Sequence, residues 1–115
     1  HNSMIEGGDG LFLGNQNAPP SNDNYFADND ARGAIDNAFE ATYGDGNVFE
    51  RNIASDSNYG FWLGFATNAI VRDNRIEGNN VTDNAIGLEV ASAGNLIIAN
   101  SASGNDSNYE IVAGN

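Results

Sequence analysis

The 115-residue chain contains no cysteine and no lysine, and it has one histidine, one methionine and two prolines. Without cysteine it can form neither disulfides nor thiolate metal sites. No apolar run approaches the ~18 residues that a membrane-spanning helix needs, so we expect no membrane insertion. A Ser-His-Asp triad would have to use the terminal His1, so we do not expect that chemistry.

Positive charge is also scarce. The chain has 16 acidic residues against 4 arginines, which gives a formal net charge of -12 at pH 7. A surface of this sign repels phosphate, which argues against nucleic acids and anionic membranes as partners. Cations and neutral or weakly charged polymers remain as partners.

Asparagine, by contrast, occurs twenty times with a regular spacing. An asparagine with an apolar residue two places later recurs at Asn24, Asn47, Asn68 and Asn95. A second asparagine follows five or six residues later, at Asn29, Asn52, Asn74 and Asn100. Counting from Asn2, the intervals between these second asparagines are 27, 23, 22 and 26 residues. Self-similarity at such a period indicates a repeat architecture.

Each unit ends in a short segment with the alternation of a strand. The predicted segments are Leu11-Phe12-Leu13, Phe39-Glu40-Ala41, Phe61-Trp62-Leu63, Leu88-Glu89-Val90 and Ile111-Val112-Ala113. Three short strands per unit and no 3.6-residue periodicity predict an all-β parallel β-helix of about five coils. We expect one domain over residues 1–115, with asparagines at the corners and loops at 15–22 and 78–84.

The chain starts at His1 rather than Met, and no cap is visible at either end. We therefore expect a part of a longer protein, or a protomer that stacks end to end through unpaired strand edges.

The pattern Asn-x-apolar, Asn-x-apolar, Gly-apolar-x-apolar resembles the right-handed parallel β-helix repeats of the carbohydrate-binding and sugar-hydrolase superfamily. That superfamily includes pectate-lyase-like enzymes, mannuronan epimerases and periplasmic NosD-type proteins. The resemblance implies a right-handed coil, an extracellular or cell-surface location and a polysaccharide partner. The epimerase Asp-Pro-His-Glu signature is absent, and one Met without Cys does not support a copper site.

The middle residue of each third strand is predicted to point to solvent, because its neighbours are apolar. This gives one outward column: Phe12, Glu40, Trp62, Glu89 and Val112. Glu40 and Glu89 would then lie two coils apart, with α-carbons roughly 9–10 Å apart. That spacing approaches the carboxyl separation of inverting glycosidases. Solubilising surface acids and packing under a loop are the alternative interpretations.

Other side chains border this column. Together with Phe12 and Trp62 of the column, these side chains are predicted to contact sugar: Tyr43, Tyr59 and Asp36, with Asp9 at the edge. No resident metal is predicted, although Asp28-Asn29-Asp30 leaves calcium open, since hard cations bind oxygen ligands.

We therefore expect an extracellular carbohydrate-recognising or polysaccharide-processing β-helix. If it is an enzyme, inverting hydrolysis by Glu40 and Glu89 fits the residues best. The alternative is a structural or adhesive repeat segment of a surface protein or filament, without catalytic activity.

Overall fold

A computed structural model describes residues 2–14, 19–64 and 71–115. The described residues form fourteen short strands and no helix, so none of them forms a helix that is able to cross a membrane. Every strand pairing is parallel, and each strand pairs with those three places before or after it in the chain. The chain is therefore a parallel β-helix with three strands per coil, as predicted.

The strands form three sheets that run along the coil axis. Sheet A contains β1 (Ser3–Gly7), β4 (Asp30–Ala34), β7 (Ile53–Ser55), β10 (Asn80–Thr82) and β13 (Ser101–Ser103). Sheet B contains β2 (Leu11–Leu13), β5 (Asn37–Ala41), β8 (Tyr59–Leu63), β11 (Ile86–Val90) and β14 (Ser107–Ile111). Sheet C contains β3 (Tyr25–Ala27), β6 (Val48–Glu50), β9 (Arg75–Glu77) and β12 (Leu96–Ile98). The described strands make four complete coils and two strands of a fifth, close to the predicted number.

The core lies between the three sheets and is filled by stacked side chains. Phe39 and Phe61 stack on successive coils of sheet B with ring centroids 4.7 Å apart. Phe49 of sheet C meets both rings edge-on. Sheet A contributes small residues such as Ala31 and Ala54, both fully buried. Small residues there leave room for the large rings from the other two sheets.

Asparagine ladders form the corners. The ladder before sheet C contains Asn24, Asn47, Asn74, Asn95 and Asn115. The ladder before sheet A contains Asn2, Asn29, Asn52, Asn79 and Asn100. In each ladder, the Oδ1 of one asparagine accepts a hydrogen bond from the backbone N–H of its counterpart on the preceding coil. Buried corner amides are thereby paired without water.

One predicted assignment at these corners was wrong. Asn74 belongs to the ladder before sheet C, and Asn79 takes the position before sheet A. The observed intervals before sheet A are therefore 27, 23, 27 and 21 residues. Asn68 lies outside the described residues.

Residues 78–84 do not form the predicted loop, because they contain β10 and two ladder positions. Of the other predicted loop, residues 15–18 lie outside the described part of the chain.

A third ladder, which the spacing analysis missed, precedes sheet B. Asn84 accepts from the backbone N–H of Ser57, and Asn105 accepts from that of Asn84, at 3.0 and 2.9 Å. The residue before many ladder positions has a positive φ, as at Asp73 and Gly46. Glycine and aspartate tolerate this left-handed conformation better than most residues do.

Candidate functional site

The outer face of sheet B carries one column of side chains along the coil axis. Strand register aligns its members: Phe12, Glu40, Trp62, Glu89 and Glu110. Successive members lie about 4.8 Å apart along the sheet. The first four were predicted, and the register confirms that they align.

The prediction that Val112 is the fifth member of the column was wrong. Val112 follows the end of β14, and Glu110 aligns with Glu89 instead. The missing signal was the third ladder, since Asn105 lies five residues before Glu110 as Asn84 lies five before Glu89. The last two coils therefore present a pair of neighbouring carboxyl groups.

Glu40 was predicted to point to solvent, but only 7% of its surface is exposed. Phe12 and Trp62 flank it on the neighbouring coils, and Asn37 Nδ2 donates to its Oε2 at 2.7 Å. Burial, together with the charge of Asp9, raises the pKa of Glu40 from 4.5 to about 7 against the opposing effect of the Asn37 hydrogen bond. Near neutral pH this carboxyl group is partly protonated.

Asn37 is a site residue that the sequence analysis did not select. Its side chain is fully buried, and both its backbone N–H and its Nδ2 donate to Asp9 Oδ1 at 3.2 Å. Its Oδ1 has no hydrogen-bond partner among the described residues. The side-chain amide of Asn37 thus contacts the carboxyl groups of both Asp9 and Glu40 through its Nδ2, and its Oδ1 is an unpaired acceptor.

An aromatic pair lies beside this cluster. The rings of Tyr59 and Trp62 stack with centroids 5.6 Å apart and planes 20° apart, and both residues are half buried. Burial raises the pKa of Tyr59, and the charges of Glu89, Asp36 and Glu110 raise it further. Those three carboxylates therefore lie near Tyr59.

Glu89 is half buried on the same face. Burial raises its pKa, and the neighbouring charge of Glu110 adds to the effect. Glu40 and Glu89 lie two coils apart with Trp62 between them, as predicted.

The remaining predicted contacts are more peripheral. Phe12 is 51% exposed on the first coil. Tyr43 follows the end of β5, half buried, and its backbone packs against Gly14 of the preceding coil. Tyr43 is therefore outside the column, whereas Asp36 and Tyr59 adjoin it.

The acids for which calcium was left open have other partners. Asp28 pairs with Arg51 at 2.9 Å, and Asp30 pairs with Arg32 at 2.6 Å. Over residues 2–14, 19–64 and 71–115, no three His, Cys, Asp or Glu side chains converge to hold a metal ion. His1 lies outside the described residues.

Residues 1–115 match the family model described as periplasmic copper-binding protein (NosD). No curated protein and no solved structure matches the chain. Of the families that the repeat resembles, the match is therefore to the NosD type.

Proposed function

The chain belongs to the NosD family of periplasmic copper-binding proteins, and we propose that it works outside the cytoplasm and that it binds polysaccharide. The proposed binding surface is the outer face of sheet B. The observation that carries the proposal is the stacked Tyr59–Trp62 pair, which lies among the carboxylates of that face. The periplasmic family agrees, at a coarse level, with the extracellular location predicted from the sequence.

Copper fits the described residues poorly. The one methionine, Met4, packs against the core, the chain has no cysteine, and its one histidine is His1. No group of three ligating side chains converges in the parts of the chain that the structure describes. No step of the proposed function therefore uses copper.

The chemistry of a sugar ring suits this surface. The apolar face of a pyranose stacks on an aromatic ring, and Trp62 and Tyr59 together offer an extended aromatic surface. Carboxylates such as Glu89 and Asp36 accept hydrogen bonds from sugar hydroxyl groups around the ring. Because the column runs along the coil axis, an extended glycan bound to it would contact several coils.

The same face supports hydrolysis as an extension of binding. A carboxyl group with a raised pKa, such as Glu40, is suited to protonate a glycosidic oxygen at neutral pH. Glu89 would act as the base that activates water, since two strand spacings put the α-carbons about 9–10 Å apart. Inverting glycosidases place their carboxyl groups about 6.5–9.5 Å apart.

The test measures the binding of neutral and charged hexasaccharides to the wild type and to Trp62→Ala. We expect Trp62→Ala to weaken binding by about tenfold, because the aromatic surface loses its larger ring. Tyr25→Ala is the matched control, since Tyr25 is an exposed aromatic residue on sheet C.

Mass spectrometry of the same mixtures tests hydrolysis. Products with one added water that disappear in both Glu40→Gln and Glu89→Gln support it. Unsaturated products would contradict the paired-glutamate mechanism. Equal affinities for Trp62→Ala and Tyr25→Ala would contradict the proposed surface itself.

A structural role is the second candidate, and one observation favours it. Exposed large apolar side chains concentrate on the outermost coils: Ile5, Phe12, Tyr25, Leu96, Ile98, Tyr109, Ile111 and Val112. Apolar ends of this kind would associate with further coils or further copies.

A further inference from the structure

The carboxylates on the outer face of sheet B have no basic residue beside them in their strands. None of the five strands of sheet B contains an arginine, and the chain has no lysine. The column and its neighbours nevertheless hold five acids: Asp9, Asp36, Glu40, Glu89 and Glu110.

The four arginines lie elsewhere, next to other acids. On sheet A, Arg32 pairs with Asp30. Beside sheet C, Arg51 pairs with Asp28 and Glu50, and Arg75 pairs with Glu77 at 2.5 Å. Arg72, in the turn before sheet C, approaches Asp45 at 3.9 Å. Positive charge is therefore segregated from the aromatic face.

This segregation has an electrostatic cost on sheet B. Burial is the main cause of the raised pKa values of Glu89 and Glu40, and the charges of Glu110 and Asp9, respectively, raise them further. Like charges in neighbouring positions destabilise a sheet unless a cation or a proton relieves them.

A buried acceptor in the same cluster needs a donor. Asn37 is fully buried, and its Nδ2 is used by Asp9 and Glu40, while its Oδ1 has no partner among the described residues. An acceptor left unpaired in a protein interior costs about 1–3 kcal/mol. This unpaired acceptor belongs to a side chain that contacts two of the five acids, Asp9 and Glu40.

We propose that the outer face of sheet B binds a cationic glycan, a polymer of amino sugars with free amino groups. The ammonium groups would pair with Glu89, Glu110 and Asp36, and the sugar rings would stack on Trp62. A cation near an aromatic face gains a further attraction from the ring. Uronate polymers would be repelled, because no strand of sheet B contains an arginine that could form an ion pair with their carboxylates. This inference rests on the proposed polysaccharide binding and adds the class of sugar.

Titration calorimetry with three hexasaccharides tests it: glucosamine, N-acetylglucosamine and galacturonate hexamers, which carry positive, no and negative charge. We expect the glucosamine hexamer to bind at least tenfold more tightly than the N-acetylated hexamer and the galacturonate hexamer not to bind. In the double variant Glu89→Gln/Glu110→Gln, we expect about a fivefold loss of affinity for the glucosamine hexamer, because exposed ion pairs each contribute modestly.

The matched control is Glu50→Gln/Glu77→Gln. It changes the net charge by the same two units, but on sheet C. Loss of affinity in the sheet B double variant alone supports the inference. Equal losses in both double variants would mean diffuse attraction to an acidic protein and would overturn it.

Two further outcomes separate this inference from the proposed function. Tighter binding of the N-acetylated or galacturonate hexamer, lost in Trp62→Ala, would overturn the cationic glycan and leave polysaccharide binding standing. If neither the three hexamers nor the longer polymers of the same sugars bind, both the cationic-glycan inference and the proposed polysaccharide binding are overturned.

Discussion

Three glutamates on sheet B occupy equivalent strand positions but have different surroundings. Glu40 is flanked by two aromatic residues and bonded by Asn37, whereas Glu110 is exposed on the last coil. Burial and the charge of Asp9 therefore raise the pKa of Glu40 to about 7. Position in the repeat decides which way a side chain points, and its neighbours on other coils decide its chemistry.

The raised pKa predicts a pH dependence of stability. Since the folded state holds the proton of Glu40 more tightly than the unfolded state, the stabilisation is fully present below pH about 4.5 and is lost as pH rises through about 7. The loss over this window is about 2–3 kcal/mol. Glu40→Gln removes the titrating group. As the pH rises through this window, the free energy of unfolding of the variant should therefore increase relative to that of the wild type.

Urea unfolding at a series of pH values from 4 to 8 measures this difference. Glu110→Gln serves as a control, because it removes an exposed carboxyl group from the same column. A difference between Glu40→Gln and the wild type that stays constant with pH would show that folding does not raise the pKa of Glu40.

The asparagine ladders are the main polar feature at the scale of the elements. Asn52 is typical: its Oδ1 accepts from the backbone N–H and Nδ2 of Asn29, and its Nδ2 donates to Phe26 O and Asn79 Oδ1. All four bonds are 3.0–3.1 Å long, and Asn52 is 1% exposed. A ladder residue in the interior of the stack, such as Asn52, therefore links three coils.

Asn52→Ala should lower the free energy of unfolding by about 2–4 kcal/mol, because it leaves buried donors and an acceptor unpaired. Asn80→Ala is the matched control: Asn80 is exposed on sheet A, and its loss should change stability by less than about 0.5 kcal/mol. Urea unfolding at pH 7 measures both. Similar values for the two variants would mean that the ladder contributes nothing beyond solvation of its amides.

At the scale of the whole molecule, the net charge and the apolar side chains of the outermost described coils have opposite effects on association. A net charge of -12 keeps copies apart, while apolar side chains on the first and last coils favour contact. On the last strand, Tyr109 is 45% exposed, and its hydroxyl group donates to Asn100 O at 2.9 Å. Salt should favour association between copies, because it screens the electrostatic repulsion and does not weaken the apolar attraction.

If the structural role is correct, light scattering should show one chain at 0.01 M salt and a mass that rises with protein concentration at 1 M salt. Screening over this range shortens the Debye length from about 30 Å to about 3 Å. Ile111→Lys, on the last strand, should reduce the association. Ile35→Lys, which places the same charge at a turn residue that is 83% exposed, should not. A mass that does not change with salt or concentration would contradict stacking of the ends.

Most of the fold could be predicted from the sequence, because its signals are local. The alternation around Phe12, Glu40, Trp62 and Glu89 depends only on the two-residue period of a strand, and the register confirmed their alignment. The regular asparagines indicated stacked corners, and ladders formed there. The handedness of the coil, the catalytic roles of Glu40 and Glu89 and the sugar contacts remain predictions.

The tertiary structure alone decided which residues share a corner and what surrounds them. Coils of 20 to 27 residues do not align by counting, so Asn74 and Val112 were misplaced, whereas stacking put Asn79 and Glu110 in those positions. The burial of Glu40 has the same origin. Asp9, Phe12 and Trp62 reach it from neighbouring coils, and contacts between coils depend on stacking rather than on sequence distance. The sequence by itself therefore determined the repeat and four members of the column, and coil stacking determined the fifth member and the surroundings of Glu40.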